Sequence, residues 1–224
     1  MPILKLYIVS CLFCLLAVPS LMGQTTVEPT FDFDQRFYYT PDWRQNIWGY
    51  RGGIIIDKKY KLGIGAYYEN DKKEFDITTG LAQRFKCSDP FTLQQKMVMA
   101  SFYYEPFLYR AELWETSIVS EIGYGKVKQA YIFEANKSLS FANNGVVIPF
   151  GLGWSVNLKG PIIPKFKPIS WLGVNFIAGY RTDILFNSVN NTSFNGWYWS
   201  LSGAFYLDRI SNDIKAYKKK KMKV

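Results

Sequence analysis

Residues 146–158 alternate without a break. Val146, Ile148, Phe150, Leu152, Trp154, Val156 and Leu158 fall on one face, and Val147, Pro149, Gly151, Gly153, Ser155 and Asn157 on the other. A period of two is that of a β-strand, whose successive side chains leave opposite faces. Residues 60–69 repeat the pattern, with Tyr60, Leu62, Ile64, Ala66 and Tyr68 against Lys61, Gly63, Gly65, Tyr67 and Glu69. So do residues 171–181, with Ile177 as an exception, and 197–207. Weaker copies lie at 31–39, 50–56 and 114–124, and the stretch around Val98, Phe102 and Tyr104 is apolar on both faces. Eight strands are expected, near 31–40, 48–56, 60–69, 96–105, 113–126, 145–158, 169–181 and 195–208.

The composition of the two faces decides between solvents. A soluble barrel buries its large apolar side chains and shows charge to water. Here the second face is Gly, Ser, Asn and Tyr with few lysines or glutamates, a poor surface for water but a suitable lining for a narrow lumen. The first face is large, aliphatic and aromatic, as lipid contact requires. Of 224 residues 18% are aromatic, and Trp43, Trp48, Trp114, Trp171, Trp197 and Trp199 fall near strand ends, where interfacial girdles belong. A closed barrel also pairs every backbone N–H and C=O, as hydrocarbon demands. The fold class is therefore all-β, a closed antiparallel transmembrane β-barrel of eight strands; a soluble exported β-barrel binding an apolar ligand is the alternative weighed against it. No stretch after the N-terminus reaches the length of a membrane-spanning helix.

Residues 1–23 read as a cleaved signal peptide. Lys5 supplies the positive region, Leu6 to Leu16 the apolar run, and Pro19, Ser20 and Gly23 the small-residue exit. A lipoprotein reading of Ile8-Val9-Ser10-Cys11 is disfavoured because the apolar run continues past Cys11. Cleavage removes Cys11 and Cys14 and leaves Cys87 alone, so no internal disulfide is expected. The division expected is 1–23 signal, 24–208 barrel and 209–224 a basic periplasmic tail. The net charge of +9 is concentrated in that tail, whose lysines are 215, 218, 219, 220, 221 and 223. A frayed, solvated tail is the plainer reading of this run, and no nucleic-acid partner is expected.

Connection lengths orient the barrel. With the first strand running outward, residues 57–59, 106–112 and 159–168 turn in the periplasm. Residues 41–47, 70–95, 126–144 and 182–194 turn outside. Short periplasmic turns and long outer loops are the asymmetry of such barrels.

At this level the chain resembles the small outer-membrane β-barrel proteins of Gram-negative bacteria, the eight-stranded OmpA/OmpX-like architecture. The likeness rests on the export signal ending Leu21-Met22-Gly23-Gln24, on Pro149-Phe150-Gly151-Leu152-Gly153-Trp154, on Gly179-Tyr180-Arg181 and on Gly196-Trp197-Tyr198-Trp199. It implies a porin-like cell-envelope protein of the cell outer membrane. The partners implied are outer-membrane lipids, the barrel-assembly machinery and an extracellular ligand at the long loops. The aromatic signal read in assembly would be internal here, at Phe205 or Tyr206, because a polar extension follows the last strand.

Function is read from the inward charges. By alternation Asp32, Asp34, Arg36, Arg51, Lys61, Glu69, Glu115, Glu121 and Arg181 face the lumen. An unpaired charge there is costly, so a salt-bridge network that plugs the barrel is expected. The competing reading is a polar conduit with Arg36, Arg51, Glu121 and Arg181 as selectivity-setting groups. The sequence has no histidine, which removes Ser-His-Asp and Cys-His mechanisms and imidazole ligation. No cofactor and no metal site are expected. Gly63-x-Gly65, Gly123-x-Gly125 and Gly151-x-Gly153 are strand glycines rather than phosphate loops, since no helix follows them. Asp32 and Asp34 as an acid/base pair, and glycosylation-like triplets in Asn190-Asn191-Thr192-Ser193, are weaker readings. The leading function is a non-enzymatic outer-membrane protein acting in envelope structure or surface interaction, chiefly through loops 70–95 and 127–143. A small channel for polar or hydrophobic solutes is the alternative.

Overall fold

A computed structural model describes residues 25–39, 44–75, 91–133, 140–163, 166–186 and 195–207, with 209–211, 213–214 and 217 beyond them. Eight strands close into one antiparallel barrel in sequence order. They are β1 (Val27–Tyr39), β2 (Arg44–Ile56), β3 (Tyr60–Phe75), β4 (Phe91–Arg110), β5 (Trp114–Phe133), β6 (Ser140–Lys159), β7 (Leu172–Phe186) and β8 (Gly196–Tyr206). β1 pairs with both β2 and β8, which closes the ring and leaves no sheet edge. The start of β1, the end of β8 and the connections 57–59, 111–113 and 160–171 lie at one end, here the near end. The other four connections join strand ends at the far end, and the longest of all seven, 76–90, is among them. The expected signal segment 1–23, Cys87, Trp43, the Asn190–Ser193 triplets and lysines 215, 218, 219, 220, 221 and 223 lie outside the described residues.

The faces sort as the alternation requires. Arg36 and Arg51 are 1% and 0% exposed, whereas Ile64 and Trp197 are 69% and 68% exposed. Charge is inside and grease outside, the reverse of a protein built for water. Met97, Met99 and Tyr103, where the sequence is apolar on both faces, point inward, and Val98 and Phe102 point outward. Two girdles of exposed or half-exposed aromatics bound this greasy surface: Tyr60, Tyr104, Tyr109, Trp114 and Trp171 near, and Tyr39, Trp48, Tyr68, Tyr124, Tyr180 and Trp197 far. Trp199 departs from the girdle expectation. It sits inside the band, stacked on Phe37 at 4.2 Å. Along β5, Trp114 to Tyr124 at about 3.3 Å per residue and a tilt of about 40° gives roughly 25 Å of height, the span of a lipid-facing barrel band.

The strand limits differ from the sequence reading in instructive ways. β3, β4, β5 and β6 run well past the expected limits, so 70–75 and 91–95 of the first expected loop, and 127–133 and 140–143 of the second, are paired strand, leaving 76–90 and 134–139 between strands. Beyond the far girdle the alternation persists but its polarity inverts. Leu93, Met97 and Val127 are buried, while Lys96, Lys126 and Lys128 are exposed. That is the pattern of a barrel in water, so a search for apolar-outward alternation stops at the girdle. At the near end β4 continues to Arg110 past Pro106, because Pro106 stands opposite Tyr60, where β3 begins. A bulge between Phe107 and Tyr109 leaves Leu108 unpaired against β5. A second irregularity falls between Ile148 and Pro149, where Ile184 of β7 is left without a partner in the β6–β7 ladder. Residues 167–171 form a 3₁₀ turn, not the start of β7.

Inward tyrosines fill the narrow lumen by lying over inward glycines. Tyr103 covers Gly53 and Gly63, and Tyr67 covers Gly49 and Gly65. A Cβ at Gly63 would collide with the Tyr103 hydroxyl and with the Gly52 carbonyl. Gly63→Val should therefore cost more than the ~1–3 kcal/mol of ordinary overpacking, because backbone as well as side chain has to move. Gel mobility of unboiled samples reads this: the variant should lose the fast-migrating folded band. A fully folded variant of unchanged urea midpoint would refute the tyrosine-on-glycine packing.

The C-terminal segment is tied down where it leaves β8. Arg209 donates from Nη1 to the carbonyls of Gly160 at 2.9 Å and Ser170 at 2.8 Å, and from Nη2 to that of Glu112 at 3.1 Å. Trp171 Nε1 and Lys167 Nζ both donate to Asp213 at 2.9 Å. These bonds, the indole's first, hold the Asp213 carboxyl below the usual carboxylate range. One arginine thus satisfies the carbonyls of two near-end connections, so the start of the expected free tail is docked.

Candidate functional site: the charged lumen

All nine charges expected inward are buried in the lumen. They stack in layers along the axis. Nearest the near end, Glu115 accepts from Arg110 Nε at 2.8 Å and pairs with Lys159 Nζ at 2.6 Å, while Arg110 Nη2 also reaches Glu28 at 3.2 Å. In the next layer Lys61 Nζ donates to Asp32 at 2.6 Å, and Arg51 Nη2 to Glu105 at 3.0 Å. Ser117 Oγ donates to the other oxygen of Glu105 at 2.6 Å. The Arg51 guanidinium lies over the Tyr103 ring at 4.1 Å.

Arg36 centres the middle layer. Its Nε donates to Asp34 at 2.7 Å, Nη1 donates to Glu121 Oε1 at 3.0 Å, and Nη2 contacts the Tyr67 hydroxyl and lies 2.8 Å from Glu121 Oε2. Its guanidinium stacks over Tyr67 at 4.2 Å. Asp34 is saturated by further donors, Tyr67 Oη at 3.1 Å, Ser202 Oγ at 3.1 Å and Ser200 Oγ. Arg181 reaches Glu121 at 3.6 Å and stacks over Tyr38 at 4.5 Å. Toward the far end the lumen takes in apolar side chains, with Ile47, Met97, Met99, Val127 and Val147 packed among Tyr38, Tyr67 and Tyr198. Glu69, Gln95 and Gln129 form a chain of amide hydrogen bonds beside that cluster.

Of the four selectivity candidates, Arg36, Glu121 and Arg181 meet in one cluster. Arg51 does not join it and pairs instead with Glu105. Glu105, Arg110, Lys159, Glu28 and Tyr67 belong to the network but are not among the groups that alternation singles out. Glu105 sits at the end of the stretch with no polar face, and Arg110 lies past a proline that reads as a strand end. Tyr67 is legible as inward-facing but not as a hydrogen-bond partner. Asp32 and Asp34 each hold a cationic partner of their own, which leaves neither poised as a free acid or base. A void lined by Asp32, Ile55, Lys61, Glu115, Asn157 and Ala204 measures about 10 Å³, room for a single water at most. Among the described residues no group of three or more cysteine or acidic side chains comes together as metal ligands. Among them, too, no helix is long and apolar enough to cross a membrane, which has no bearing on strands.

No family model and no curated protein matches this chain. Solved structures do share its fold. A major outer membrane protein of Thermus thermophilus superposes with a TM-score of 0.50 at 10% identity, over 80% of this chain and 98% of that one. Neisserial surface protein A gives 0.46 at 11% identity, over 82% and 99%. The N-terminal β-barrel domain of Pseudomonas aeruginosa OprF gives 0.43 at 8% identity, over 81% and 98%. At these identities the likeness is one of fold.

Proposed function

We propose that this chain is a non-enzymatic outer-membrane barrel. It contributes to envelope structure or surface interaction, with the near end in the periplasm and the far-end connections outside. The observation that carries the reading is the reversal of polarity at the far girdle. Below Tyr68, Val98 and Tyr124 the outward face is apolar and the lumen charged; above them the outward face carries lysine, and the interior holds Leu93, Met97 and Val127 beside the Glu69–Gln95–Gln129 hydrogen-bond chain. One chain built for two solvents in succession fits a barrel standing out of a bilayer. Outer-membrane lipids and the barrel-assembly machinery are its partners in this reading, and an extracellular ligand would meet the far-end connections.

The paired and stacked lumen supports a plug rather than a conduit. Every candidate gate residue is held by an opposite charge or a ring, and the apolar cluster lies across the far half. Planar-bilayer recording tests this. The wild-type barrel should insert without unit conductance steps, and Arg51→Ala and Glu121→Ala should leave it silent. Wild-type steps whose ion selectivity changes in either variant would establish the channel instead.

A further inference from the structure

A cluster of lysines stands on the outer surface just beyond the far girdle. Lys96 on β4 is directly opposite Lys128 on β5, and Lys126 is opposite Val98. All three side chains are exposed on the outward face. Like charges at directly opposed sheet positions destabilise the pair unless an anion joins them. Among the described residues none of the three has an ion pair. Lys72 on β3 adds a fourth positive charge on the same face, and among the described residues of β3–β5 the outward acid beside them, Glu74, is one step farther from the girdle and opposite Thr92. The lysines sit just past Tyr68 and Tyr124, the level of headgroups for a barrel embedded in a bilayer.

A groove runs down the same three strands beneath them. Its floor is Ala66 and Ala100, partners in register, and its walls are Ile64, Phe102, Ile122 and Tyr124. It holds about 660 Å³ and is overwhelmingly apolar. The small floor residues interrupt an otherwise bulky outer surface. Ala100 and Lys96 are separated by four residues of one strand, about 13 Å. An apolar slot capped by clustered cations matches an amphiphile with an anionic head.

We propose that β3, β4 and β5 form a binding site for a single anionic phospholipid-type molecule of the outer leaflet. Lys96, Lys126 and Lys128 take the phosphate, and the Ala66–Ala100 groove takes an acyl chain. The site rests on the membrane-barrel reading, because only a bilayer delivers this ligand at this height.

Native mass spectrometry of the folded barrel tests it, from neutral detergent micelles holding equal amounts of phosphatidylglycerol and phosphatidylcholine. One phosphatidylglycerol should be retained in preference. Replacing all three lysines by alanine should lower that preference at least about tenfold, three headgroup-level cations being lost. Lys128→Glu alone should lower it measurably. Ala100→Phe, which fills the groove, should reduce retention of both lipids. Equal retention of the two lipids by wild type, or an unchanged preference in the triple variant, would overturn the proposal. Displacement by glycerol 3-phosphate as effective as by intact lipid would show a phosphate site without a lipid, and would overturn it too. The substitutions are on exposed positions, and a fast-migrating unboiled band checks the fold of each. A wild-type chain that never gave that band or entered vesicles would defeat the barrel reading itself, a failure distinct from loss of lipid preference.

Discussion

Arg36→Met should be among the most damaging single substitutions in the barrel. The guanidinium binds Asp34, Glu121 and Tyr67 at once. Methionine fills a similar volume, so packing loss is small and the electrostatic loss dominates. Asp34 keeps Tyr67, Ser200 and Ser202 as donors, but Glu121 is left with Arg181 at 3.6 Å as its remaining ion pair among the described residues. Removing one partner of a buried pair costs about 3–5 kcal/mol, because the other charge stays buried and uncompensated. Urea unfolding in vesicles, followed by tryptophan fluorescence, should show a loss of that size. Adding Glu121→Gln should recover part of it, since the stranded charge is then neutral. A change below about 1 kcal/mol for Arg36→Met would mean that water, not the protein, solvates these groups, as in an open pore.

The second large effect depends on depth. Ile64 lies midway between Tyr60 and Tyr68 on the outward face of β3 and is the most exposed large hydrophobic side chain of that strand. In water, a charge at such an exposed site would change stability by only about ±0.5 kcal/mol. In lipid at midplane, Ile64→Arg should cost about 2–4 kcal/mol. Val98→Arg, at the far girdle, should cost only about 0–1 kcal/mol. Both are read by the same urea titration in vesicles. Equal small costs at the two sites would place the whole outer surface in water.

The alternation was legible because eight segments repeat one rule, and each inward charge it named is in the lumen. Its reach ended where the solvent changes. Asn70-Asp71-Lys72-Lys73-Glu74 reads as a loop, yet the strand continues past Glu69 to Phe75. Lys128 reads as a loop lysine for the same reason and Lys96 as the first residue of its strand, so the cationic patch could be seen only once register set them side by side. The partner of Arg51 was hidden by composition. Met97, Met99 and Tyr103 are as apolar as their outward neighbours, so nothing in the sequence marks Glu105 as inward. Leu108 was hidden by backbone geometry, since an unpaired residue shifts the alternation by one and no periodicity search follows it. The 3₁₀ turn at 167–171 ends on Trp171 just before Leu172, an apolar pair that imitates the start of a strand.

The environment of the outward face is the point on which location, plugging and lipid binding all depend. Nitroxide labels at Leu152 and Phe176, in a Cys87→Ser chain folded into vesicles, measure it by collision with oxygen and with a water-soluble nickel chelate. Both labels should collide readily with oxygen and scarcely with the chelate, as groups solvated by acyl chains do. Ready access of the chelate, or immobilised labels sheltered from both reagents, would contradict a lipid-facing surface.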